Sequence, residues 1–171
     1  MQIIKYILLI IVFLISNKIG RMLSQRYKER VDELEEIKNA IQIFKTKIKY
    51  TYDPIPEIFT DISKNSRNNI GQIFKSAVEK MKNKSAGIAW EEALDENKEN
   101  TNLKEEDIEI LKRLSKLLGM TDAEGQISQI EITNQFLEEQ IVIAREEKQK
   151  NQKLYQKLGT TMGLVIVILL I

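Results

Sequence analysis

The sequence contains neither cysteine nor histidine among its 171 residues. These two absences exclude disulfide bonds, zinc sites built from Cys and His ligands, Cys–His nucleophilic catalysis and Ser–His–Asp triads. Two prolines and seven glycines are present, so few residues interrupt helices. An excess of charge of one sign is also lacking, because 26 Lys and Arg stand against 25 Asp and Glu. That balance gives no indication of a nucleic-acid partner.

Long apolar runs occur near both ends of the sequence. Residues 1–17 hold one charged side chain, Lys5, and residues 158–171 hold none. Helices of these lengths rise about 21–25 Å against a hydrocarbon core of about 30 Å, so each is short for a span. Local thinning of the bilayer can absorb the difference. We predict transmembrane helices at 1–17 and 158–171; a cleaved signal peptide is the alternative for the first, although Ser16-Asn17-Lys18 fits a cleavage site poorly.

Basic residues are concentrated beside these two runs. Ten of them flank the inner ends: Lys18, Arg21, Arg26, Lys28, Arg30, Arg145, Lys148, Lys150, Lys153 and Lys157. The positive-inside rule therefore predicts a cytoplasmic domain over 18–157, with both termini on the far side of the membrane. A nucleic-acid patch is the alternative, which the placement beside apolar runs disfavours. Residues 31–144 carry 22 acids and 15 bases, a net charge of −7.

Apolar residues in the middle region recur every three or four positions, and no sustained alternation indicates a strand. The fold class predicted is all-α, a compact antiparallel bundle of about six helices with N- and C-terminal transmembrane helices. The first helix is predicted to end near Tyr52, and the second to begin with Asp53 as N-cap and Pro54 at its first position. The third covers about 69–82, and Ser85 caps the fourth. The fifth runs over about 103–118 and is ended by Gly119, and the capping box Thr121–Glu124 opens the sixth.

Several apolar side chains are assigned to the core of this bundle. Trp90 lies at helical spacing with alanine and leucine neighbours, so we predict that it packs in the core. Ile88 is placed on the same buried side. Tyr50 and Tyr52 are predicted to pack at the corner between the first two helices rather than to bind a ligand.

Small residues sit at the inner end of each apolar run. The patterns are Ser16-x-x-x-Gly20 and Gly159-x-x-x-Gly163. Small side chains let helix backbones approach closely, so these four residues are predicted to pack the two spans together. Packing against another protein's span, and chance occurrence, are the alternatives.

The densest polar cluster is acidic and lies around residues 91–109. Paired carboxylates can act in acid–base catalysis or bind a divalent cation, but the spacing matches no calcium loop, and no phosphate-binding loop occurs. A solvated helix face is the simplest interpretation. A docking surface for a basic partner is the functional one, and it is assigned to Glu91, Glu92, Asp95 and Glu96. No catalytic, cofactor-binding or metal-binding residue is predicted, and the protein is expected not to be an enzyme.

The layout resembles the stage III sporulation protein AB family of endospore-forming Firmicutes over essentially its full length. The resemblance rests on four motifs: the basic helix with Tyr27-x-x-Arg30 and Ile48-x-Tyr50 before Pro54, the string Ala89-Trp90-Glu91-Glu92-Ala93-Leu94, the segment Asp107-x-Glu109-Ile110-Leu111-Lys112 leading to Leu118-Gly119, and Lys157-Leu158-Gly159 before the apolar tail. Asp53 stands where the family pattern has Thr.

The resemblance implies a soluble part similar to the cytoplasmic domain of type II secretion F proteins. It implies a non-enzymatic platform, in the mother-cell membrane facing the forespore, within a channel complex that links the two cells. The implied partners are the stage III sporulation protein AA ATPase and other channel subunits, with no cofactor, nucleic acid or small-molecule substrate. The alternative is a self-associating membrane scaffold, in which helices one and six pair between molecules and no motor protein binds.

Overall fold

The computed structural model describes residues 2–116, 118–119 and 123–170. Within these ranges it contains six α-helices and no strand, so the all-α prediction is confirmed there. The helices are α1 (Gln2–Tyr50), α2 (Ile55–Asn65), α3 (Asn68–Met81), α4 (Ala86–Asn97), α5 (Glu105–Arg113) and α6 (Ala123–Leu170). Short 3-10 turns follow α4 (Lys98–Asn100) and α5 (Leu114–Lys116).

The chain divides into two compact units. One, here called the paired-helix unit, consists of the described residues up to Val31 and from Ile143 onward. The other, the bundle unit, is Asp32–Val142. The first part of α1 and the last part of α6 form the paired-helix unit, and the remaining helical segments form the bundle unit.

Four aromatic side chains form the centre of the bundle unit. Phe59 has ring centroids 5.2 Å from Phe44, 5.0 Å from Phe74 and 5.4 Å from Trp90, each with edge-to-face geometry. Edge-to-face pairs add to the stabilisation that burial of these large side chains already gives. The Trp90 indole N–H donates a hydrogen bond of 2.9 Å to the Leu111 carbonyl. The prediction that Trp90 packs in the core is confirmed, and its polar atom is satisfied by α5.

Two of the apolar assignments are wrong. Ile88 is 53% exposed although its neighbour Ala89 is fully buried, because α4 turns the side of Ala89, Ala93 and Leu94 inward. Tyr50 and Tyr52 are 68% and 77% exposed, so they do not pack the corner between α1 and α2. The backbone of Tyr52 has φ of 56°, in the left-handed region, where the chain has left the α1 helix.

The start of α2 also differs from the sequence prediction. The N-cap residue is Pro54, not Asp53, and its carbonyl accepts hydrogen bonds from the Glu57 and Ile58 amides at 2.9 and 3.1 Å. Pro56 lies in the first turn, where a missing N–H costs nothing. Asp53 instead accepts a hydrogen bond from Lys47, with 3.3 Å between Asp53 Oδ2 and Lys47 Nζ.

A buried glutamate on α1 ties distant segments of the bundle unit together. Glu33 is 6% exposed and accepts hydrogen bonds from the Asn102 amide at 2.7 Å and from the Asn102 and Asn69 side chains, both at 3.1 Å. Its carboxylate thus joins α1 to the start of α3 and to the segment before α5. A buried carboxylate is tolerated because these donors replace water.

The fifth helix is shorter than the predicted 103–118 at both ends. Polar bonds hold the segment before Glu105 extended, and after Arg113 the α-helix gives way to the 3-10 turn Leu114–Lys116. Asp107 accepts a hydrogen bond of 2.8 Å from the Lys104 amide, which makes Lys104 the N-cap. Gly119 has φ of 75°, a left-handed conformation, but it lies beyond the end of the helix and does not terminate it as predicted. The predicted capping box begins at Thr121, which lies outside the described residues.

Candidate functional site

Small residues of α1 and α6 bring the two backbones of the paired-helix unit into contact. A β-carbon built on Gly20 would lie 2.8 Å from the Gly159 Cα and 2.7 Å from the Tyr155 carbonyl oxygen. A β-carbon on Gly163 would lie 3.0 Å from the Phe13 ring and 3.2 Å from Ser16 Cβ. The structure therefore places Ser16, Gly20, Gly159 and Gly163 in one antiparallel helix contact.

Polar side chains bridge the same contact. Ser16 Oγ donates to the Gly159 carbonyl at 2.8 Å, and Thr160 Oγ1 donates to Asn17 Oδ1 at 2.8 Å. Both bonds run between α1 and α6 of one chain. In an apolar environment such bonds contribute because the alternative is an unsatisfied polar group.

Further along the same two helices, an aromatic stack and an ion pair continue the contact. The Tyr27 and Tyr155 rings stack with centroids 5.6 Å apart. A hydrogen bond with Tyr155 is the main cause that raises the pKa of Tyr27 above its usual value, and burial of Tyr27 raises it further. Arg30 is 4% exposed and its Nη1 lies 2.7 Å from Glu147 Oε2. Sequence reasoning missed both pairs, since residues more than a hundred positions apart give no local signal.

The four acids of the predicted docking surface lie on α4, and three of them pair with lysines of the bundle unit. Glu92 lies 2.6 Å from Lys84, Asp95 2.7 Å from Lys112, and Glu96 3.1 Å from Lys80. Glu96 also accepts a hydrogen bond from Ser76 at 2.7 Å. The Ser76 bond and then Lys80 lower the pKa of Glu96, while Asp95 raises the pKa of Lys112.

Glu91 is exposed on the same helix. A partner approaching α4 therefore meets a face whose negative charge is largely balanced by neighbouring lysines. The three lysines pair with Glu92, Asp95 and Glu96, so an approaching cation competes with them least at Glu91.

An open groove of 490 Å³ lies between α1 and α2. Its walls combine four acids, two bases and an apolar floor: Asp32, Glu35, Glu36, Asp61, Lys47, Arg67, Ala40, Ile43 and Ile62, with Asn39, Asn65 and Ser66. Lys47 bonds Asp61 at 2.7 Å, which raises the pKa of Lys47 and lowers that of Asp61. Arg67 lies 3.6 Å from Asp32 and 3.5 Å from Glu36.

In the described ranges, no group of three or more Asp or Glu side chains converges to hold a metal ion. The features found are surfaces and helix contacts, which suit binding and assembly.

The N-terminal part of α1 is long and apolar enough to cross a membrane. An 18-residue window there has a mean hydropathy of 1.8 and at most two charged residues, and 17% of it is buried. Apolar side chains from Ile4 to Ile15 are largely exposed, as lipid-facing side chains would be. In the part of the chain the structure describes, this is the one helix that meets the criterion.

Comparison with known proteins gives three concordant findings. The family described as stage III sporulation protein AB matches residues 5–171. The stage III sporulation protein AB of Bacillus subtilis (strain 168) is 26% identical over 153 residues, covering 88% of this chain and 90% of the relative. A solved structure of stage III sporulation protein AB (SpoIIIAB) has a TM-score of 0.68 at 23% identity, covering 71% of this chain and 98% of the other.

Proposed function

Because the chain belongs to the stage III sporulation protein AB family, we propose that it serves sporulation as a non-enzymatic membrane platform. In this proposal it forms part of a secretion-like channel complex between mother cell and forespore. Its bundle unit, similar to the cytoplasmic domain of type II secretion F proteins, docks the stage III sporulation protein AA ATPase. Its apolar helices pack with each other and with other channel subunits.

The proposed topology has spans at 1–17 and 158–171, a cytoplasmic domain over 18–157 and both termini on the far side of the mother-cell membrane that faces the forespore. The apolar stretch of α1 supports the first span. The second span is supported by the helix contact, since Gly159 and Gly163 lie against Gly20, Ser16 and Phe13. Because this segment of α6 packs directly against the proposed first span, it lies in the membrane as well in this proposal.

The single observation that carries the platform role is that α1 and α6 pair within one chain. Gly20 against Gly159, Tyr27 against Tyr155 and Arg30 against Glu147 are all intramolecular contacts. These contacts use the surfaces that the alternative, a scaffold of coiled coils between molecules, would need for self-association. An anchored single chain instead leaves its bundle surfaces available to a different protein.

Docking of the ATPase is assigned to the α4 face, with Glu91 and Glu92 as the first residues to test. Asp95 and Glu96 hold Lys112, Lys80 and Ser76, so reversing their charge would disturb the bundle itself. The informative variant of the full-length protein is therefore Glu91→Lys combined with Glu92→Lys. Glu92 gives up one exposed ion pair with Lys84, a loss of at most about 1 kcal/mol.

Co-purification of the detergent-solubilised full chain with the ATPase tests this assignment. We expect the double variant to recover several-fold less ATPase than the wild type at equal bait. The matched control is Glu124→Lys with Glu139→Lys, two exposed acids of α6 with the same change in charge. Equal recovery by the test and control variants would remove α4 as the docking face, and unchanged recovery by both would mean that charge on this domain does not direct binding.

A further inference from the structure

A cleft of 320 Å³ lies on α1 where the apolar stretch gives way to basic residues. It is lined by Phe13, Leu14, Asn17, Lys18 and Arg21. These positions follow the three- and four-residue spacing of one helix face, so Lys18 and Arg21 stand above Phe13 and Leu14 on the same side. Both cations are exposed. The cleft is thus apolar at one end and doubly cationic at the other.

A second, apolar groove of 260 Å³ begins where this cleft ends. Its lining comes from both helices of the paired-helix unit: Tyr6, Leu9, Ile10, Phe13, Leu164 and Val167. Phe13 lines both cavities, which makes them neighbours along the helix pair. The groove carries no charged side chain among these residues.

The dimensions of the two cavities together match one leaflet of a bilayer. From Tyr6 to Lys18 is twelve residues, or about 18 Å of helix. Half of a hydrocarbon core is about 15 Å. An acyl chain that follows the apolar groove would bring its headgroup to the level of Lys18 and Arg21.

We propose that this cleft and groove form a binding site for one anionic phospholipid. The headgroup phosphate lies between Lys18 and Arg21, and an acyl chain runs past Phe13 into the groove between α1 and α6. The site rests on the proposed membrane insertion of α1. Beyond membrane insertion, the site would let the protein select one class of lipid by the charge of its headgroup.

The position of Asn17 supports a built site over a chance pair of cations. Asn17 lines the cleft, donates to the Phe13 carbonyl at 3.2 Å, and accepts from Thr160 of α6 at 2.8 Å. It is therefore fixed by both helices at the boundary between the apolar and cationic parts. The wall of the cleft is held by the same contact that pairs α1 with α6.

The basic residues around the cleft favour lipid over another protein's helix as the occupant. Exposed cations flank the paired helices near the contact of Gly20 with Gly159: Lys18, Arg21 and Lys157. Further basic residues follow along both helices away from the apolar stretch: Arg26, Lys28, Lys148, Lys150 and Lys153. A transmembrane helix of a partner would need acids at matching depth to enter such a field, and charged groups there are costly. Anionic headgroups surround the protein on every side, and each nearby Lys or Arg contributes about 1 kcal/mol of attraction.

The test uses the full chain in nanodiscs that contain equal amounts of phosphatidylglycerol and phosphatidylcholine. Lipids that stay bound after release into the gas phase are counted by native mass spectrometry. Two cations at the headgroup predict enrichment of the anionic lipid by up to roughly 30-fold in the wild type. Lys18→Gln with Arg21→Gln should reduce that enrichment at least fivefold.

The matched control is Lys153→Gln with Lys157→Gln, an exposed pair of cations on α6 whose second member lies two residues before Gly159, close to the level of the cleft. It should retain most of the wild-type enrichment. Leu164→Trp, which fills the apolar groove and leaves both cations in place, should lower the total number of retained lipids.

Each other outcome overturns the site. Equal losses in the test and control pairs would mean a general attraction of lipid to basic residues, and no loss in either would mean no charge selection. Displacement of the lipid by inorganic phosphate would mean that the cleft binds free anions. An unchanged lipid count in Leu164→Trp would mean that no acyl chain occupies the groove, which would then be a contact surface for a partner helix. A protein that fails to enter nanodiscs of any composition would instead refute the proposed membrane platform.

Discussion

Gly20 and Gly159 face each other so closely that a β-carbon on either residue would lie 2.8 Å from the Cα of the other. No side chain larger than hydrogen fits at either position without moving a backbone, since real β-carbons do not approach other atoms this closely. The close approach also allows Ser16 of α1 to bond the Gly159 carbonyl. Helix pairing in this unit therefore depends on the absence of two side chains.

Gly159→Leu should separate α1 from α6. The leucine side chain cannot fit against Gly20, so the helices must part and the Ser16 and Thr160 bonds lengthen. The expected result is a rise in the distance between spin labels on residues 11 and 165, two exposed positions outside the contact, measured by pulsed electron resonance. Thr161→Leu, at an exposed position of the same helix, is the control and should leave the distance unchanged. An unaltered distance in Gly159→Leu would mean that the glycine contact does not set the pairing.

Glu33→Ala should destabilise the bundle unit by about 3 kcal/mol. The substitution removes the carboxylate that accepts from the half-buried Asn102 amide and from the Asn102 and Asn69 side chains, and hydrogen bonds to a charged group contribute about 1.5–3 kcal/mol. Chemical denaturation followed by Trp90 fluorescence measures the loss. Glu79→Ala, at an exposed position of α3, should change stability by less than about 0.5 kcal/mol. Equal small effects of the two substitutions would show that the Glu33 bonds contribute little.

Acid should weaken the bundle unit through three carboxylates whose pKa values are lowered in the fold. Lys47 lowers the pKa of Asp61, Ser76 and Lys80 lower that of Glu96, and Lys45 lowers that of Glu131. A lowered pKa means that the stabilisation is present above the unfolded value and is lost as pH falls through the folded value. Stability should therefore decline below about pH 4.

The triple variant Asp61→Asn, Glu96→Gln and Glu131→Gln removes these three titrations. Its stability should be lower than that of the wild type at pH 7 and should change less between pH 5 and pH 3, because no proton is taken up at these sites on unfolding. Thermal melting across this range compares the two proteins. Parallel curves for the two proteins would assign the acid sensitivity to other groups.

Tyr52→Gly should stabilise the protein by about 1 kcal/mol. Tyr52 adopts φ of 56°, which costs an L-residue roughly 1–2 kcal/mol, and its exposed side chain recovers little by packing. Tyr50→Gly is the opposite control, because Tyr50 lies in α1 and glycine weakens a helix. Melting temperatures of the two variants should move in opposite directions. A lower melting temperature for Tyr52→Gly would show that the tyrosine side chain contributes to the fold.

The helices and the core could be predicted from the sequence because their signals are local. Trp90, Ala93 and Leu94 repeat at helical spacing, and all three are buried as predicted. Gly119 has the left-handed backbone that a helix terminator needs, but the helix before it ends earlier, at Arg113. Asp53 and Tyr52 were misassigned because a two-proline corner can start a helix at more than one residue. The competing attraction of Lys47 for Asp53 depends on the tertiary structure.

Long-range polar pairs could not be predicted in the same way. Glu33 with Asn102 and Arg30 with Glu147 are separated by 69 and 117 positions. Such charges look like solvent-exposed helix residues in the sequence, since Lys, Glu and Arg usually are. The acids of α4 posed the same difficulty, because their pairing with Lys80, Lys84 and Lys112 depends on how α3, α4 and α5 pack.

Pairing of α1 with α6 within one chain is the central claim, and crosslinking in membranes tests it most directly. The sequence has no cysteine, so Asn17→Cys with Thr160→Cys introduces one pair at a position where the native side chains are hydrogen-bonded at 2.8 Å. Oxidation of membranes that contain the full-length variant should give a monomer-sized product with an internal disulfide, and either single variant should give none. A product of dimer size from the double variant, with no internal disulfide, would contradict the claim.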